Sequence, residues 1–164
     1  MITKTTVSAV RTLIHLARQG PGGLLSPRKI AEDLNESPTY LAKVTRLLVK
    51  KGILRAERGV KGGVRLGRPP REITLLDILE ACQGSIVGSY CEEDCELAIT
   101  CAYHHAAVEL REAVVGVLSR WTLEQLLQKP NPLPGRQSRI PCVLTSPSGL
   151  KGVTWPDWSP PAAT

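Results

Sequence analysis

The sequence predicts a mainly α fold carrying one small hairpin, and three observations support it. Two short helical segments, each opened by Ser-Pro, follow a longer amphipathic one. Two short strand-like runs then flank a glycine-rich turn. Beyond a cysteine-bearing loop lies a long apolar helical stretch. In the first segment Val7, Val10, Leu13, Ile14 and Ala17 recur at helical spacing on one face, and Gly20-Pro21-Gly22-Gly23 ends it. Ser26-Pro27 and Ser37-Pro38 each set a hydroxyl N-cap before a proline at the first helical position, where its missing N–H costs nothing. Ile30, Ala31 and Leu34 give the first of these helices a short apolar face. The second, Pro38 to about Lys51, buries Leu41, Val44, Leu48 and in part Leu47, and Gly52 stops it. Its other face shows Thr39, Lys43, Arg46 and Lys50.

A pair of short helices joined by a tight turn, the second cationic on its outer face, meets the requirement for a helix-turn-helix, because the major groove admits one helix. The alternative is a small bundle with a solvated basic face. Downstream residues favour the first reading. Ile53 to Arg58 and Val64 to Leu66 read as strands around Gly59-Val60-Lys61-Gly62-Gly63, a hairpin tip bearing Arg58, Lys61 and Arg65. Such a tip is a wing, whose glycines let the backbone approach phosphates and whose arginine suits a minor groove. The predicted fold is therefore a winged helix-turn-helix domain followed by a cysteine-bearing loop and a long dimerisation helix.

Charge is divided along the chain. Residues 1–72 hold 15 Lys and Arg against 5 Asp and Glu, a net +10. Residues 73–128 hold 2 against 9, a net −7, and residues 129–164 hold 4 against 1, a net +3; the whole chain of 164 residues carries +6. The basic part fits a polyanion such as double-stranded DNA. Aromatic residues make up 4% with no Phe, which disfavours RNA or single-strand binding through stacked rings. No apolar run approaches the ~20 residues of a membrane span, and Arg11, His15 and Arg18 interrupt the N-terminal apolar stretch, so a cytoplasmic location without membrane partners is expected.

In the acidic middle, Thr74-Leu75-Leu76-Asp77 resembles a capping box and opens a short helix through Ile78, Leu79 and Ala81 to Gly84. After a loop, Ala102 to Ser119 reads as a long helix with Ala106, Ala107, Leu110, Val114, Val115, Val117 and Leu118 in a stripe broader than one domain needs. That breadth predicts a homodimer, pairing two recognition helices on a palindromic site. Trp121 and a further helical turn, Thr122-Leu123-Glu124-Gln125, follow.

The loop holds Cys91, Cys95 and Cys101 as C-x3-C-x5-C, with His104 three positions on and His105 beside it. Three clustered thiols in a reducing compartment cannot pair evenly. Glu92, Glu93, Asp94 and Glu96 oppose thiolate formation, which weakens a thiol-dependent enzyme. A bound metal centre reverses that electrostatic penalty. Cys3His serves structural zinc well, whereas the absence of C-x2-C knuckles favours iron. Cys82 and Cys142 read as a buried thiol and a tail cysteine.

From about Ile2 to Leu127 the chain resembles the IscR/NsrR/RirA-type family of winged helix-turn-helix iron–sulfur transcriptional regulators. The resemblance rests on Ser37-Pro38-Thr39-Tyr40-Leu41, Arg58-Gly59 with Gly62-Gly63, Ile73 to Leu79, the three cysteines, and Trp121-Thr122-Leu123. It implies a dimeric regulator, not an enzyme and without a small-molecule substrate, whose operator affinity is controlled by a [2Fe-2S] or [4Fe-4S] cluster. The implied ligands are Cys91, Cys95, Cys101 and, through Cys101-Ala102-Tyr103-His104, His104. It further implies that Thr39, Tyr40 and Lys43 touch the major groove and Arg58 the minor groove; with Ser37, Arg46 and Lys61 these form the expected DNA-facing set. The first cysteine gap is shorter than the family's, Ala42 replaces a discriminating acidic residue, and no Asp or Glu precedes Glu32 to serve as a first-helix ligand. The expected organisation is a winged domain at 1–82, a cluster loop and dimer helix at 83–128, and a disordered tail at 129–164. That tail holds eight of the 13 prolines together with Trp155 and Trp158. A zinc-stabilised winged-helix repressor remains the alternative.

Overall fold

The computed structural model describes residues 2–20, 22–59, 62–85 and 102–128. The expected tail, with Cys142, Trp155 and Trp158, lies outside them, as do Lys61 and the cysteine loop.

Helix α1 (Lys4–Arg18) starts at Thr3, whose side chain accepts from the Thr6 amide, and buries Ala9, Val10, Leu13, Ile14 and Leu16. Helix α2 (Pro27–Leu34) is capped by Ser26, which accepts from the Lys29 amide at 3.1 Å. It ends at Asn35 in the left-handed region, φ 53°, a conformation Asn adopts more readily than most residues. Helix α3 (Pro38–Lys50) follows after the short turn and buries Leu41, Val44, Thr45 and Leu48. Here the expectation of two equivalent caps fails: Ser37 occupies the N-cap position of α3 but its side chain makes no cap bond.

Strands β1 (Leu54–Glu57) and β2 (Gly63–Leu66) pair antiparallel, with Leu54 opposite Leu66 and Glu57 opposite Gly63. A partner missing from the sequence reading joins them: Leu25 bridges Val64 on its other side, through Val64 N–H to Leu25 O at 2.8 Å and the return bond at 3.1 Å. Gly63 is required by this contact, since a Cβ there would lie 2.5 Å from Leu25 O. At Gly62 a Cβ would lie 2.4 Å from Glu57 O. Gly62 thus serves the closure of the hairpin on its own backbone, and Gly63 the approach of Leu25.

Helix α4 (Leu75–Gln83) opens with the anticipated capping box, Thr74 and Asp77 exchanging backbone-to-side-chain bonds at 3.0 and 3.1 Å. The long helix α5 (Ala102–Arg120) leads to α6 (Leu123–Gln128), which folds back onto the winged part. The Leu75 amide bonds Trp121 O and the Leu123 amide bonds Ile73 O, both at 2.8 Å. Leu123 is fully buried in the core built by α1, α3 and α4, and Leu126 and Leu127 pack against it. Leu123→Ala is therefore expected to lower unfolding free energy by about 2–5 kcal/mol in a denaturant titration; a change below ~1 kcal/mol would place α6 outside the common core.

Candidate functional site

The outer face of α3 is built by position. Thr39, Lys43, Arg46 and Lys50 follow helical spacing and all are exposed, while Leu41, Val44 and Leu48 on the opposite face hold the helix to α1 and α4. Ser37 is exposed beside them, in the turn entering α3. Tyr40 differs from its neighbours. Its ring is half-buried against the core, its hydroxyl donates to Thr5 Oγ1 at 3.3 Å, and Lys4 Nζ lies 5.8 Å from its centroid. The side chain is thus largely engaged with α1, a role that periodicity alone did not reveal. Ala42, at the position of the missing acidic residue, is half-buried.

At the hairpin, Arg58 is exposed just past the end of β1. Arg65 lies within β2, where its guanidinium Nε donates to Glu57 Oε1 at 2.5 Å, so an internal carboxylate offsets its charge. It therefore stands in the strand and not at the tip expected from the sequence. Lys61 lies outside the described residues.

Behind α3 lies a polar seam that the sequence reading missed. Thr6, Ser8 and Thr12 of α1 are buried, and Thr12 Oγ1 returns its proton to Ser8 O at 2.8 Å. Asp33 of α2 receives Lys29 Nζ at 2.7 Å and His15 Nε2 at 3.1 Å. The Lys29 hydrogen bond is the main cause that holds the Asp33 carboxyl below its usual range, against opposing burial. The same bond raises Lys29.

Of the expected metal ligands, Cys91, Cys95 and Cys101 lie outside the described residues. His104 is half-buried in the first turn of α5, its ring edge-on to His105 with centroids 6.5 Å apart. Cys82 is separate in chemistry. Half-buried at the end of α4, its Sγ donates to Thr5 O at 3.9 Å, and burial, opposed by a Thr6 hydrogen bond, pushes its thiol up to about 11. Burial of that kind keeps the thiol protonated and makes it a poor nucleophile.

With this geometry in place, known proteins give a consistent match. The Rrf2 family model, described as an iron-dependent transcriptional regulator, covers residues 2–129. The chain belongs to the Rrf2 family. Protein aau3 of Rhizobium meliloti (strain 1021) is 34% identical over 131 residues, spanning 77% of this chain and 84% of that protein. The HTH-type transcriptional regulator NsrR of Bacillus subtilis (strain 168) is 30% identical over 131 residues, spanning 77% of this chain and 90% of NsrR. The solved structure of CymR, the global cysteine regulator of B. subtilis, aligns with a TM-score of 0.62 at 31% identity, covering 77% of this chain and 95% of CymR. This Rrf2 chain is a DNA-binding transcriptional regulator of mainly helical, winged-helix fold, and NsrR and CymR among its relatives are regulators, not enzymes. Among the described residues no helix is long and apolar enough to cross a membrane.

Arg58→Ala is expected to weaken binding to duplexes with A·T-rich flanks more than to G·C-rich ones, because a narrow minor groove concentrates negative potential. Equal affinities for the two flanks in an anisotropy titration of wild type and variant would remove Arg58 from the minor groove.

Proposed function

We propose that this Rrf2 chain is a homodimeric regulator whose operator affinity is controlled by an iron–sulfur cluster held by Cys91, Cys95, Cys101 and His104. The observation that carries the reading is the donor set itself. Three thiols stand within eleven residues among Glu92, Glu93, Asp94 and Glu96, in a segment joined directly to the turn of α5 that carries half-buried His104. Sulfur and imidazole donors together suit iron or zinc, and carboxylate neighbours are tolerable for thiolates only beside a cation. When bound, the cluster supplies that positive charge and a set of bonds open to oxidation, nitric oxide or loss of iron. Relatedness to a family described as iron-dependent supports iron over zinc.

The remaining parts are performed by side chains. Thr39, Lys43 and Arg46 meet the major groove, with Ser37 and Tyr40 at the start of that helix; Arg58 and Lys61 extend the contact through the wing. On α5, Tyr103, Leu110 and Val117 recur every seven residues and are 69%, 65% and 47% exposed, with Ala106 and Ala113 exposed between them. A second copy of the chain is the occupant that buries such a stripe and sets two recognition helices on one duplex. Because the cysteine segment runs from α4 to α5, ligation there sets how the dimer helix is tethered to the winged part.

Anaerobically purified wild type is expected to contain iron and sulfide, absorb in the visible, and sediment as two chains. Cys95→Ala and His104→Ala lose or shift the absorption, and Cys82→Ser retains it. A colourless wild-type protein holding only zinc would establish the zinc-stabilised repressor in its place.

A further inference from the structure

The polar residues of α1 form a stripe aimed at one target. Thr5, Ser8, Arg11 and His15 recur at three- or four-residue intervals, hence on one side of the helix, and each reaches the α2–turn–α3 unit. His15 meets Asp33 in α2, and Thr5 accepts from Tyr40 in the first turn of α3. Between them lies the densest contact. Arg11 donates from Nη1 to Glu36 Oε1 at 3.1 Å and from Nη2 to the Leu34 carbonyl at 3.2 Å, so one guanidinium spans both sides of left-handed Asn35. Ser8 Oγ donates to the other carboxylate oxygen, Glu36 Oε2. The Arg11 and Glu36 side chains are only 15% and 13% exposed, which makes each charge depend on the other. Glu36 also sits next to Ser37, the residue whose hydroxyl fails to cap α3.

We propose that Glu36 is a specificity-determining positioning residue of the recognition helix. Both carboxylate oxygens are bound by α1, and Glu36 does not need to touch DNA to act. By fixing the turn immediately before Pro38, it sets the angle at which α3 leaves, and with it the register of Thr39, Lys43 and Arg46 against base edges. Base readout depends on side chains meeting hydrogen-bonding groups at fixed geometry, whereas attraction to phosphates depends mainly on charge. Loosening the turn therefore costs sequence-specific binding and spares non-specific binding. A residue that only maintained the fold would affect both through the folded fraction.

The test uses the full chain and a duplex selected from a random library by wild-type protein, beside a scrambled duplex of equal length, both titrated at one salt concentration. Glu36→Ala is expected to lose about tenfold in affinity for the selected duplex, with unchanged or slightly tighter binding to the scrambled one, since a negative charge is gone. Glu36→Gln, which retains an acceptor for Arg11 and a polar partner for Ser8, should recover most of the loss. Ser8→Ala, a smaller change, should lower the same ratio to a lesser degree and covers the case in which Glu36→Ala does not fold. Equal losses on both duplexes, no loss in the folded variants, or a wild type that selects no sequence would each overturn the proposal.

Discussion

The burial of α1 is the constraint on which the rest of the molecule depends. Ala9, Val10, Leu13, Ile14 and Leu16 are at most 6% exposed, and the helix touches α2, α3, α4, α6 and β2. Full burial of a large apolar side chain contributes about 1.5–3 kcal/mol, whereas a typical internal hydrogen bond adds only about 1 kcal/mol net. The apolar face of α1 therefore supplies stability. Its polar stripe bonds the α2–turn–α3 unit, and in the proposed role of Glu36 these smaller energies select where the recognition helix stands.

The same helix touches both the end of α4, from which the cysteine segment continues, and the start of α3. Gln83 Nε2, at the end of α4, donates to Thr6 Oγ1 at 2.8 Å, and Cys82 touches the Thr5 carbonyl. Thr5 in turn receives the hydroxyl of Tyr40 in α3. The first proposed ligand, Cys91, lies eight residues beyond Gln83 in the sequence, so in the proposed mechanism ligation acts on the end of α4, whose contacts lead through Thr5 and Thr6 of α1 to α3. Couplings of about 1–3 kcal/mol, or 5- to 150-fold in affinity, are within the range that such hydrogen bonds and packed side chains carry. At the other end of α5, the bonds from the Leu75 amide to the Trp121 carbonyl and from the Leu123 amide to the Ile73 carbonyl anchor the helix back into the core.

Much of this architecture was legible in the sequence because its signals are local. Apolar spacing gave α1 and α3, Ser-Pro gave the starts of α2 and α3, and Thr74 with Asp77 gave the start of α4. What local pattern could not show was pairing between distant residues. Leu25 joining Val64, Arg65 turned to Glu57, and Leu123 returning to Ile73 all depend on tertiary placement. The exposed cationic face of α3 was legible from spacing, yet Tyr40 was not separable from Thr39 by residue type; burial and its bond to Thr5 distinguish them. The buried hydroxyls of Thr6, Ser8 and Thr12 run against the usual exposure of such residues. Their only trace in the sequence was a helix start rich in Ser and Thr with no acidic residue in its first turn.

In the proposed mechanism, ligation at the cysteine segment and binding by α3 are linked. One anaerobic preparation, its cluster verified by iron and sulfide content, should be divided and titrated against the same duplex before and after the iron is removed by a chelator, at constant salt. The expected result is two anisotropy curves whose midpoints differ by at least about fivefold. Superimposable curves from samples of verified loaded and stripped state would contradict it.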